Sequence, residues 1–284
     1  MRKKPTFAVR VNNLTACVEF YTGRLGLLLE AHDPASDTAV VVDGLGMPVL
    51  FAGPGAADLA PYMGQVREVA APGATLYFYE ADLDGRMSAL NKGGPAEVLL
   101  VERRWGERRL VLRDPDGYTV NLWTEVARTP HETLELYMQA PQELQSLLEG
   151  LKEQELDLSK APGDWTVRQI VHHLADADAM QLARIKVALA EPGRVWVSNA
   201  YSPQAWSDTV GYSRLAVQPS VDLFRAVREH VAALLQHLPP DAWERYTLNA
   251  GGEKTTVGRT IRLLATHALE HLDDIAEIRR LHSR

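Results

Sequence analysis

The chain has 284 residues, enough for two domains with a core each, and an ordinary composition: 46% hydrophobic and 24% charged. Its net charge of −7 divides as 13 Lys+Arg against 16 Asp+Glu up to residue 127 and 17 against 21 beyond it, so neither part has the basic excess of a nucleic-acid binder. No apolar run approaches the roughly 18–20 residues that span a bilayer. No apolar signal core follows the basic start "MRKKPTFAVRVNN", and the single cysteine, Cys17, excludes an internal disulfide or a CxxC motif. A cytoplasmic protein is expected, with a small-molecule partner and neither a nucleic acid nor a membrane.

From residue 7 to 123 the signals are strand-like. "FAVRV", "DTAVVVDG", "MPVLFA", "ATLYFYE", "AEVLLVE", "RRLVLRD" and "YTVNLW" are short, β-rich and bounded by Gly, Pro or Asp. Two helical patterns interrupt them, "LTACVEFYTGRLG" and "LDGRMSALNKGG", each closed by glycine. The order is strand, helix and about three strands, given twice. "NNL" at Asn12–Leu14 and "ADL" at Ala81–Leu83 open the two helices 69 positions apart, which indicates an internal duplication. The run "VERRWGERRLVLR" holds five arginines and reads as the solvated face of a hairpin.

Around "VARTPHETLEL" the period changes, and apolar residues recur at i, i+3 and i+4. This predicts helices at about 131–151, 165–190, 219–238 and 256–281, with a long connection over about 191–218. Pro141, Pro162, Pro192, Pro203 and Pro239–Pro240 are read as marking starts and loops. Four helices of this length predict a four-helix bundle.

The last helix carries "LLATHALEHLDDI", with His267 and His271 four residues apart on one face, on or beside the stripe Leu264, Ala268, Ile275, Ile278. Such a pair is either hydrogen-bonded core or half of a metal site; left without partners in a core it would be costly. It is not an HExxH motif, because Glu270 precedes the second histidine. A further ligand is offered by "GDWTVRQIVHHLADAD", where His173 sits at the edge of the stripe Val167, Ile170, Val171, Leu174 and His172 points nearly 100° away. Asp164 and Thr166 are both candidates to cap that helix.

"FAVRVNNLTACVEFYTGRLGL" followed by "DPDGYTVNLW" resembles the vicinal oxygen chelate superfamily, the glyoxalase and bleomycin-resistance fold of paired βαβββ units, over about residues 5–126. The resemblance implies metal ligands at positions occupied here by Thr6, Thr75 and Asn121, with the first-repeat counterpart of Asn121 in the apolar "PVLF". That is no usual ligand set, so a domain of residues 1–127 without a metal is expected. Its cleft would bind a small molecule or be inert, and Tyr77, Tyr79, Trp105 and Trp123 are candidates to line it.

"WTVRQIVHHLAD", "RIKVALAEP", "YSPQAW" and "HALEHLDDI" together resemble the DinB/YfiT-like superfamily of metal-binding bundles, over residues 131–284 and closest to the YfiT branch of metal-dependent hydrolases related to bacillithiol S-transferases. Carried over by position, the implied ligands are His173, His267 and His271. Three imidazoles suit Zn, Ni or Fe as a divalent metal and leave coordination positions open. Asp176 and Asp274 are candidates to orient the imidazoles from behind, and Arg184, eleven residues after His173, is a candidate for an anionic substrate. No Ser–His–Asp set or catalytic cysteine is evident, and His32, His131, His230, His237 and His282 carry no spacing signal. The expectation is a metal-dependent hydrolase or low-molecular-weight thiol S-transferase, of detoxification or resistance type, served by a substrate-binding first domain. The alternative is a sequestering protein of bleomycin-resistance type whose metal site is structural or empty. Either could be a homodimer.

Overall fold

The computed structural model describes residues 4–64, 68–71, 73–92, 97–197 and 201–282. The chain divides into two compact units, Met1–Ala127 and Arg128–Arg284. Gly93 and Gly94, expected to close the second helix, lie outside the described residues.

The first unit begins with β1 (Phe7–Arg10), α1 (Leu14–Val18, continued by a π-helical turn to Arg24), β2 (Leu28–Asp33), β3 (Thr38–Val42), β4 (Pro48–Ala52) and the two-residue β5 (Glu68–Val69). It then repeats as β6 (Thr75–Tyr79), α2 (Leu83–Lys92), β7 (Leu99–Glu102), β8 (Glu107–Arg113) and β9 (Thr119–Glu125). The sheets run β2-β3-β4-β1-β5 and β6-β9-β8-β7. Without β5 the two orders are the same, and each repeat pairs its first strand in parallel with its last, Ala8 beside Leu50 and Tyr77 beside Asn121. Equivalent side chains open the helices: Asn13 Oδ1 accepts from the Ala16 N–H at 3.0 Å, and Asp82 Oδ1 from the Gly85 N–H at 2.9 Å. The β-rich runs do not include β2, "LLEAHD", an edge strand whose side chains are all at least partly exposed.

Alternation places Val9, Phe51, Phe78, Leu110 and Val120 in one core with Tyr21 of the π-helical turn and Leu83 and Leu90 of α2. The opposite sheet faces differ. In the first repeat Ala8, Val40 and Leu50 are covered by Leu59, Tyr62 and Met63. In the second, Tyr77 is 53% exposed. The "DPDG" turn is structural: buried Asp114 accepts from the Tyr21 hydroxyl at 2.8 Å and from the backbone of Asp116 and Tyr118, and Gly117 takes the φ of 87° that a side chain would oppose.

The second unit holds α3 (Pro130–Leu148), α4 (Val167–Ala190), the short α5 (Pro203–Trp206), α6 (Gln218–His237), the hairpin β10 (Tyr246–Leu248) with β11 (Lys254–Thr256), and α7 (Val257–Leu281). Capping boxes start α3 (Thr129 with Glu132) and α4 (Thr166 with Gln169), so the cap of α4 is Thr166 and not Asp164. Contacts fix the directions. Arg279 near the end of α7 donates to Leu147 O and Glu149 O at the end of α3, so these helices run the same way. His172 meets Ser220, and Asp178 meets Arg228, so α4 and α6 are also parallel. Parallel neighbours need a long return, and its described parts, residues 191–197 and 201–217, lie along α4. Trp196 pairs with Leu248, Tyr201 reaches His173, and Leu215 O accepts from Arg168.

Two expectations are corrected here. The second unit is not helical throughout, as the prediction of four helices has it, because β10 and β11 form a hairpin of three residues a side, too short for a periodicity signal. Pro141 marks neither a start nor a loop but lies inside α3. Having no N–H, it leaves the Tyr137 carbonyl without its helical donor, and the buried Arg228 guanidinium takes that place at 2.6 Å. Among the described residues no helix is long and apolar enough to cross a membrane.

Candidate metal centre

His173 sits in the second turn of α4, where the Thr166 cap sets the phase that turns it inward. His267 and His271 come from the middle of α7, one turn apart. One ring nitrogen from each lies within 4.8 Å of the others, and this is the one cluster of potential metal donors among the described residues. The rings meet edge to face, with centroids 4.7–5.0 Å apart. His173 Nε2 and His267 Nε2 are 3.0 Å apart. Burial, and then the charge of His271, push His173 down to about 4. Burial, then His271, His173 and Arg228, push His267 down to about 3. Both are therefore neutral near pH 7 and keep a lone pair that a cation can take.

The far sides of the rings are held differently. His173 Nδ1 lies 3.3 Å from the Tyr201 hydroxyl. His271 Nδ1 is buried, has no hydrogen bond, and stands 3.5 Å from Asp274 Oδ2. Lys160 Nζ holds the other oxygen of that carboxylate at 2.7 Å. Burial raises the Asp274 pKa, but the neighbouring His271 ring and the Lys160 ammonium outweigh it and hold the group below its ordinary value. Trp165, beside the α4 cap, lies nearly parallel to His271 (6.2 Å, 8°) and edge-on to His173 (4.9 Å).

Other expected residues go elsewhere. The Asp176 carboxylate hydrogen-bonds Tyr212 and not His173, because the return segment 201–215 packs its hydroxyls onto that side of α4. His172 points away from the cluster, with Nδ1 2.7 Å from Ser220 Oγ. Arg184 donates Nε to Thr247 Oγ1 at 3.1 Å. In the first unit Thr6 and Thr75 are exposed and Asn121 is buried. Tyr79 and Trp123 meet edge to face at 5.4 Å, while Trp105 is buried under Arg103.

The sequence reading passed over a buried group beneath the histidines. Arg228 and Asp178 are fully buried and paired at 2.7 Å. Arg228 lies between the rings of Tyr137 and Phe224, at 4.2 and 4.3 Å, and donates to Tyr137 O and to Leu264 O one turn before His267. One guanidinium thus touches α3, α4, α6 and α7. A signal was present: Asp178 falls in the stripe Ile170, Leu174, and Arg228 in the stripe Val221, Phe224, Val231, Leu235. Opposite charges on two apolar stripes call for each other.

Comparison with known proteins agrees with this architecture. Residues 5–122 match the Glyoxalase/Bleomycin resistance protein/Dioxygenase superfamily, and residues 136–275 match the DinB superfamily. A proposed metal-dependent hydrolase of Oceanobacillus iheyensis is 30% identical over 138 residues, 49% of this chain and 78% of that protein. Another, of Geobacillus kaustophilus, is 30% identical over 142 residues, with the same coverage. The solved structure of YfiT from Bacillus subtilis, described as "a probable metal-dependent hydrolase with an unusual four-helix bundle topology", aligns with a TM-score of 0.51 at 24% identity, covering 56% of this chain and 93% of YfiT. The chain belongs to the DinB superfamily through its helical unit, which follows a domain of the Glyoxalase/Bleomycin resistance protein/Dioxygenase superfamily.

Proposed function

We propose that the helical unit is a metal-dependent hydrolase, with His173, His267 and His271 as the ligands of a divalent ion, Zn, Ni or Fe. The observation that carries this reading is the convergence of three imidazoles from two antiparallel helices, with two Nε2 atoms 3.0 Å apart and two of the rings held neutral. The donor set fits such an ion: all nitrogen, three ligands, and positions left for water or substrate. A divalent ion bound there would supply Lewis acidity and lower the pKa of a coordinated water.

The chain's own residues fix the donors. The Tyr201 hydroxyl meets His173 Nδ1 and, with the ring proton on that nitrogen, accepts from it and leaves the Nε2 lone pair for the centre, and the Lys160–Asp274 pair faces His271. Cys17, the chain's one thiol, is buried in the other unit, so the thiol of a transfer reaction would be an external one. Water gives hydrolysis; a low-molecular-weight thiol gives S-transfer. The first unit is read as the small-molecule-binding partner domain.

The test is turnover of ester, amide and electrophile panels by protein loaded with each metal, with and without added thiol. Metal-dependent release of product without thiol, lost in His267→Ala, supports hydrolysis. Product formed only with thiol moves the assignment to transfer. No metal-dependent turnover in either arm overturns the enzyme and leaves the sequestering protein.

A further inference from the structure

Helices α3 and α7 begin side by side, and a cavity of about 180 Å³ lies at their first turns. Its wall includes Arg128, Thr133, Trp243, Glu244, Arg259 and Arg262. The chain as a whole carries a net charge of −7, yet three of the four charged side chains on this wall are arginines. A fourth arginine stands near. Arg184 of α4 is partly buried, donates only Nε, to Thr247 Oγ1, and has its pKa lowered by burial and by the charge of Arg259. Neither Arg184 nor Arg259 has a carboxylate partner among the described residues. Like charges gathered round one space repel each other, and the positive end of the α7 dipole adds to their field, that of α3 being answered by the Glu132 carboxylate.

We propose that this cavity is a binding site for a small oxyanion of the phosphate class, separate from the histidines. The guanidinium fork matches two phosphate oxygens at once, and several forks round one cavity can saturate a tetrahedral dianion as no single cation can. A space of this volume accommodates inorganic phosphate or the phosphate of a small monoester. Trp243, buried against Gly258 at the start of α7, closes one side as a rigid wall. Arg259 precedes His267 by eight residues, about 12 Å along the helix, so one anion does not span both sites.

The test is calorimetric titration of the full chain with inorganic phosphate, at ionic strength held constant with sodium chloride. The parent, Arg259→Gln, Arg262→Gln and His173→Ala are compared, with circular dichroism confirming that each is folded. The expected result is saturable binding in the parent, weakened at least about ten-fold in each arginine variant and unchanged in His173→Ala. No saturable heat up to about 10 mM phosphate overturns the proposal. So does equal affinity in the arginine variants, or a loss confined to His173→Ala, which would place the phosphate on the histidines.

Discussion

The buried Asp114 of the first unit and the buried histidines of the second are partnered in different ways. In the first, the buried carboxylate is taken up by the fold: Asp114 accepts from Tyr21 and from two backbone N–H groups. In the bundle, Arg228 and Asp178 satisfy each other, but beside them three imidazole edges face one another with no protein carboxylate between them. Buried donors answered by protein make scaffold; buried donors facing one another are a place for something else. That contrast, more than the number of histidines, separates the unit with a candidate centre from the one without.

The contrast can be broken first at its strongest bond. Asp178→Ala leaves the Arg228 charge buried alone and is expected to cost about 3–5 kcal/mol, read by urea unfolding of the helical signal. A loss below about 1 kcal/mol would mean that the pair is dispensable.

The next effect is in pH. His173 and His267 protonate less readily folded than unfolded, so the unfolded chain binds more protons once the pH drops below about 6.5. The metal-free protein should lose stability between about pH 6.5 and pH 4, by on the order of 3 kcal/mol for His173 alone. The loss should be absent above pH 7 and smaller in His173→Ala. Equal pH slopes in the two proteins would mean that the site is not desolvated.

Smaller still is Tyr201→Phe, which removes the hydroxyl behind His173 and should weaken metal affinity about ten-fold in chelator competition, with the fold intact. The smallest change is Tyr21→Phe. It should destabilise the first unit by about 1 kcal/mol and leave metal content unchanged. A change in metal content there would dissolve the distinction between the units.

Much of this was legible in the chain. The four long helices show because apolar stripes at i, i+3 and i+4 run for five turns or more, and the duplication shows because Asn13–Leu14 and Asp82–Leu83 start equivalent helices. His173, His267 and His271 could be named from spacing and resemblance, since helix phase alone turns them inward. What surrounds them could not. Tyr201 and Tyr212 reach α4 from an irregular return segment, whose path follows from the parallel α4–α6 pair and not from any local pattern. Asp176 was therefore assigned to the wrong partner, while Asp274, on the same helix as His271, lies near the ring it was expected to orient. Pro141 was misread because a proline in mid-helix is tolerated only when another donor serves the carbonyl it abandons, and that donor, Arg228, is 87 residues away in sequence.

The central claim is that the histidines hold a metal, and the direct measurement is metal content by plasma mass spectrometry. The protein would be purified without chelator or metal-binding tag, and the parent compared with His173→Ala. The account predicts an equimolar divalent metal in the parent and little in the variant. A parent that stays metal-free after incubation with Zn²⁺, Ni²⁺ or Fe²⁺, or a variant that retains as much metal as the parent, would contradict it.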